Sequence, residues 1–282
     1  MTRAWQIFSI AIIVGIATLF YTEGFSTAPS PWPIPLDDSY IYFAYARSLV
    51  LGDGMSWTSG GGYSSGATSL LYPLLLAPGY AFVHLLDAPH LMGLVAALVA
   101  VVGLYDTCRS LQTLAPRAQW LIAPALLCCP LLDWSLFSGM ETALLCAVLA
   151  RALRAVHEST RLAAHARPAA QRRAGLWVAA LLMCRPELVP LAFSLGIASV
   201  LRARSLRTGR SLLRTLGPSA AWLAGIAALN LWLTGEAAAA GALRKVIWYD
   251  PFLEHASAVG RVLINLVVVV HQGLVRGLGG PL

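Results

Sequence analysis

Charge is what this sequence has least of. Asp, Glu, Lys and Arg make up 12% of its 282 residues, against roughly 25% in an ordinary soluble domain. With 58% apolar residues and a mean hydropathy of +0.69, that scarcity argues against a water-soluble fold. Cysteine is sparse too, and none of Cys108, Cys128, Cys129, Cys146 and Cys184 stands in a CxxC pair. They read as small core residues rather than metal ligands or disulfides. The scattered histidines, His84, His90 and His255 among them, lack zinc-ligand spacing. Internal repeats and low-complexity segments are missing as well. The net charge of +7 does not mark a nucleic-acid binder. Its arginines fall in short runs between apolar segments, as in the cytoplasmic loops of a membrane protein.

In place of charge there are apolar segments near 5–22, 91–108, 139–156, 215–233 and 260–276. At about 1.5 Å per residue, each approaches the roughly 30 Å of a hydrocarbon core. The expected fold class is an all-α polytopic membrane protein, with residues 1–282 forming one transmembrane domain. The first segment follows Thr2-Arg3 and has no small-x-small cleavage site, so it reads as an uncleaved anchor.

Placing arginines inside orders the crossings. Residues 23–90 form the first extracytoplasmic loop, within which 68–86, interrupted by Pro73, Pro78 and Gly79, is a juxtamembrane helix. Segment 91–108 runs inward, 119–133 runs outward with a break at Pro130, and 139–156 returns. Segment 175–200 is a helical hairpin turning at Arg185-Pro186-Glu187. As a straight span it would bring charge to the bilayer centre, at about 2.5–3.5 kcal/mol per residue. Segment 215–233 exits, 234–258 is an outer loop and 260–276 re-enters. Every acid except Asp106 and Glu158 then lies outside, and most bases lie inside.

The longest polar interruption opens with Asp37-Asp38, followed by a helical run over Ser39–Val50 that ends at Gly52-Asp53-Gly54. A carboxylate there either caps the helix amino terminus or does chemistry, taking a proton from a hydroxyl or holding a divalent cation. Glu141 opens another helix at the same face, where a lone acid usually serves as a first-turn partner for the helix dipole. Arg185 and Glu187 either pair with each other or leave Arg185 to clamp a phosphate, and Arg244 and Lys245 are either further phosphate contacts or a solvated charge pair beside the membrane. Gly62-Tyr63-Ser64-Ser65-Gly66 matches GxSxG, but the strand–turn–helix setting of a serine hydrolase is lacking.

The ordered series DDSYIYFAYARSLVLGDGMSW, GGYSSG, SGMETALL, CRPEL and LTGEAAAAGALRKV resembles the GT-C membrane glycosyltransferases. It looks closest to the bacterial, arabinofuranosyltransferase-like branch. Ala44, Gly66-Ala67 and Leu188 depart from that branch's usual residues, and relatives continue with more helices beyond this length, so the resemblance implies either a fragment or a reduced homologue. It also implies a GT-C bundle in a bacterial plasma membrane. Such a protein moves sugar from a polyprenyl-phosphate donor to a hydroxyl on a glycan or lipid acceptor, with inversion, on the extracytoplasmic side. Asp37 then matches the base and Asp38 its partner, with Glu141 the third catalytic residue. Tyr40, Tyr63, Ser64, Arg185, Glu187, Arg244 and Lys245 fall at substrate-binding positions, and a divalent cation would use Asp37 and Asp38. The alternatives are a transporter or flippase of lipid-linked sugars, suggested by the broken segment at 184–190, and a non-catalytic lipid-binding remnant.

Overall fold

The structure, a computed structural model, describes residues 3–27, 34, 36–82, 88–162, 166–202, 208–239 and 258–271. The helices are α1 (Arg3–Thr27), α2 (Asp38–Leu51), α3 (Leu71–Leu76), α4 (Ala88–Leu114), α5 (Gln119–Leu127) and α6 (Pro130–Phe137). They continue as α7 (Thr142–Arg161), α8 (Arg167–Cys184), α9 (Val189–Arg202), α10 (Thr208–Thr234) and α11 (Ala258–His271). Among the described residues there is no strand. Among the described residues three stretches, Arg3–Thr22, His90–Leu114 and Gly209–Thr234, are long and apolar enough to cross a membrane. Only 22% of the apolar window in α1 and 11% of that in α10 is buried by protein. Ile7, Leu19, Leu213 and Trp232 face outward, a surface that water would penalise and lipid would not.

Proline places the breaks. Cys129, before Pro130, is extended at φ −108°, ψ 106°, and Arg185, before Pro186, at φ −150°, ψ 105°. The proline ring excludes the helical region for the residue preceding it, so α5 gives way to α6 and α8 to α9 at those positions. The stretch after α2 forms α3 and then a 3₁₀ turn over Ala77–Phe82, six residues each. That is too short to cross a bilayer. With α2 it buries Tyr42, Phe43, Tyr72 and Leu76 against Met92 and Ala96 of α4.

Side-chain contacts fix the helix directions. The Trp5 indole donates to the Gln119 carbonyl at 2.8 Å, and the Tyr21 hydroxyl to that of Phe137 at 2.9 Å, so α1 runs alongside α5 and α6. Helices α8 and α9 are antiparallel. Arg185, where α8 ends, meets Glu141 at the start of α7. Ser199, late in α9, meets Ser159, late in α7, at 3.0 Å. The 175–200 stretch is therefore two helices turning at Arg185. Helix α11 is fourteen residues long, and residues 272–276 of the expected last crossing lie outside the described residues.

Gly175 lets α8 and α10 approach closely. A Cβ there would sit 2.4 Å from the Arg214 carbonyl oxygen and 2.9 Å from that of Thr215, and backbone cannot swing aside as a side chain can. Gly175→Val is expected to lose about 1–3 kcal/mol and lower the unfolding temperature in detergent. Gly15→Ala, where nothing lies within 4 Å, should leave that temperature unchanged or higher; equal effects from both would refute the tight-contact account.

Candidate functional site

The junction between α6 and α7, residues 137–141, is the floor of the candidate site. Helix α6 ends with carbonyls that lack intrahelical partners. Three successive ones are satisfied by hydroxyls from three other elements: Phe137 by Tyr21 of α1, Ser138 by Ser39 of α2 at 3.0 Å, and Gly139 by Tyr72 of α3 at 2.8 Å. Gly139 adopts φ +86°, and a Cβ there would meet Ile34 at 2.8 Å and the Ser39 hydroxyl at 3.0 Å. The amino terminus of α2, with Asp37 and Asp38, is thereby anchored over the SGME loop.

Helix α2 spans Asp38–Leu51, close to the expected Ser39–Val50. Asp37 caps it, its Oδ1 accepting the Asp38 N–H at 2.9 Å. Both carboxylates are exposed. One turn along from Asp38, on the same face, Tyr42 is buried and shares a 2.9 Å hydrogen bond with Thr68. Burial raises the Tyr42 phenol above its ordinary value, and the nearby Glu141 charge adds to the shift. The hydroxyl therefore stays protonated at neutral pH.

Beneath Tyr42 lies the ion pair of the site. Glu141 is 0% exposed, and its Oε1 is 2.5 Å from Arg185 Nε. Arg185 also donates from Nη1 to Glu187 at 2.9 Å, and the Glu187 side chain is 54% exposed. Neither Glu141 oxygen has an aligned hydrogen-bond partner among the described residues. Ser69 and Leu70 close the side, with the Leu70 N–H donating to the Met183 carbonyl at 3.0 Å.

The structure thus brings Asp37, Asp38, Glu141, Arg185 and Glu187 to one end of the bundle, although neither aspartate touches the Glu141–Arg185 pair. Glu141, fully buried, holds Arg185 in place and does not itself reach solvent. Arg185 binds two carboxylates, so both members of the Arg185/Glu187 alternative are drawn into one network. Tyr40 is exposed and stacks edge-on with Phe43. Ser64 accepts the Tyr45 hydroxyl at 2.8 Å, and Tyr63 donates to Asn230 of α10 at 2.6 Å. These two secure the 52–70 loop, which Asp53 also closes by accepting from Ser59 and Gly60. Arg244 and Lys245 lie outside the described residues. Tyr42, Thr68, Tyr72 and Asn230 escaped the sequence reading; only the four-residue spacing of Asp38 and Tyr42 hinted at any of them.

No family model, curated protein or solved structure matches the chain.

Two expectations follow. Ser39→Ala and Tyr72→Phe each strip a buried carbonyl of its partner, and each should cost about 1–3 kcal/mol in detergent unfolding, while Tyr40→Phe stays within about 0.5 kcal/mol. Arg185→Met leaves a buried carboxylate unpaired and should cost about 3–5 kcal/mol. The double change with Glu141→Met should recover most of that loss. Additive losses in the double variant would contradict the pairing.

Proposed function

We propose that the chain is a membrane glycosyltransferase of GT-C type, moving a sugar from a polyprenyl-phosphate donor to an acceptor hydroxyl with inversion. The observation that carries this reading is convergence. The aspartate pair, the SGME loop, the segment following GGYSSG and the RPE turn are far apart in sequence, yet they meet around one end of the bundle. An apolar cavity of about 430 Å³ beside the loop, lined by Leu49, Met55, Tyr63, Leu70 and Trp222 among others, suits an isoprenoid tail. The arginines of the opposite end, Arg109, Arg117, Arg161, Arg172 and Arg202 among them, support a cytoplasmic placement there and an extracytoplasmic site. A bacterial plasma membrane is the proposed location.

In this reading the acceptor O–H gives its proton to Asp37, whose Oδ1 is steadied by the Asp38 N–H. The acceptor oxygen bonds to the anomeric carbon as the carbon–oxygen bond to phosphate breaks, and that electron pair leaves with the phosphate. Attack opposite the leaving group inverts the centre. Arg185 is already committed to two acids, so it orders the pocket floor more than it neutralises phosphate; Arg244 and Lys245 are the proposed phosphate contacts. Among the described residues no three His, Cys, Asp or Glu come together as a metal site. If a cation of the Mg²⁺ kind takes part, Asp37 and Asp38 would hold it, since such an ion needs only one or two carboxylates and completes its shell with water and phosphate. Such a cation would offset charge on the leaving phosphate.

The α8–α9 break with its charged turn favours a second reading, a flippase of lipid-linked sugars. Proteoliposomes given labelled polyprenyl-phosphate sugar separate the two. Transfer predicts label bonded to an acceptor, lost by about 10²–10⁴-fold in Asp37→Asn. Full transfer by that variant would overturn the assignment, and label that changes leaflet without a new bond would favour the flippase.

A further inference from the structure

A second cavity, this one polar, lies at the other end of the bundle. Glu158, which borders it, is seventeen residues along α7 from Glu141, about 25 Å at helical rise. The cavity measures about 350 Å³ and is an open cleft among α4, α7 and α8, lined by Asp106, Arg109, Arg151, Arg154, Glu158 and Arg173 among others. Both acids are fully engaged. Asp106 takes Arg151 in a two-pronged ion pair, with Nη2 to Oδ1 at 2.6 Å. That guanidinium is held over the Trp177 ring at 4.8 Å. Glu158 receives Arg154 Nε on one oxygen and Arg173 Nη2 on the other, each at 2.7 Å.

Four arginines against two acids leave two positive charges in excess. Arg109 makes no ion pair among the described residues, and Arg154 and Arg173 each use one N–H group on Glu158. A guanidinium carries five N–H donors in a planar fork suited to phosphate oxygens. We propose that this cavity binds a phosphate group, and that its source is the headgroup of an anionic lipid. Three features favour the lipid. The flanking α4 exposes Leu94, Leu98 and Val102, Trp177 supplies the amphipathic ring common at bilayer interfaces, and basic pockets between membrane helices suit such headgroups. The proposal is independent of the transferase reading.

The test uses the full chain in detergent, incubated with phosphatidylglycerol or zwitterionic phosphatidylcholine, with bound lipid read by native mass spectrometry. Phosphatidylglycerol should be retained preferentially. Arg109→Gln, which breaks no ion pair, should reduce its retention about fivefold, the factor matching roughly 1 kcal/mol per arginine near a charged membrane surface. Arg172→Gln, exposed and outside the cavity lining, should leave retention unchanged. Equal retention of the two lipids, or an Arg109→Gln variant that behaves like the parent, would overturn the proposal. Inorganic phosphate that displaces phosphatidylglycerol at equal concentration, in an Arg109-dependent way, would overturn the lipid source and assign the cavity to a soluble phosphate.

Discussion

Three carbonyls at the end of α6 that have no partner within the helix set the terms for the rest of the molecule. Phe137, Ser138 and Gly139 are buried where the backbone turns from α6 into α7, so solvent is not at hand to satisfy their carbonyls. Backbone oxygens left bare there would each cost about as much as a lost hydrogen bond. Tyr21, Ser39 and Tyr72 arrive from three elements to supply the missing donors. Meeting this requirement gathers α1, α2 and α3 around the junction, and the aspartate pair is carried there by its neighbour Ser39. The Glu141–Arg185 pair then joins the same junction to the end of α8.

The two ends of the bundle differ in electrostatic character. Around the α6–α7 junction four carboxylates, Asp37, Asp38, Glu141 and Glu187, face one arginine among the residues of the described site. At the opposite end the balance reverses, and the acids that break the general sorting of charge, Asp106 and Glu158, are each held by arginines. They act there as counter-ions that let several guanidinium groups crowd one cavity with less mutual repulsion. Charge sorting along the chain and pairing across it are thus one pattern seen at two scales.

Much of this was legible from the chain itself, where the signal is local. Apolar composition marked the helical class, the aspartates and Gly52 bounded α2, and Pro130 and Pro186 marked both helix breaks through the restriction each places on the preceding residue. The hairpin followed from the cost of burying Arg185 and Glu187. Partners distant in sequence were not legible. Tyr63 and Asn230 are 167 positions apart, and neither residue's neighbourhood announces the other. Glu141 carried a catalytic expectation, with a first-turn acid as the plainer alternative; its complete burial against Arg185, with Tyr42 nearby, is brought about only by the assembled fold.

Two kinds of joint hold the bundle, and they differ in what they tolerate. At Gly103 a Cβ would lie 2.9 Å from the Ala143 carbonyl oxygen, and Gly175 meets α10 as closely, so in both places main chain rests on main chain. Pulling such surfaces apart opens a void that no neighbouring atom fills. The 52–70 loop is fastened by hydroxyl groups, Tyr45 to Ser64 and Tyr63 to Asn230. A water or a ligand hydroxyl can replace either bond with little loss. Between the helices main chain is locked against main chain, whereas the 52–70 loop is tied to them by hydroxyls at Ser64 and Tyr63 and by the Leu70 N–H on the Met183 carbonyl. The loop is thus attached by directional polar bonds where the helices are held by shape.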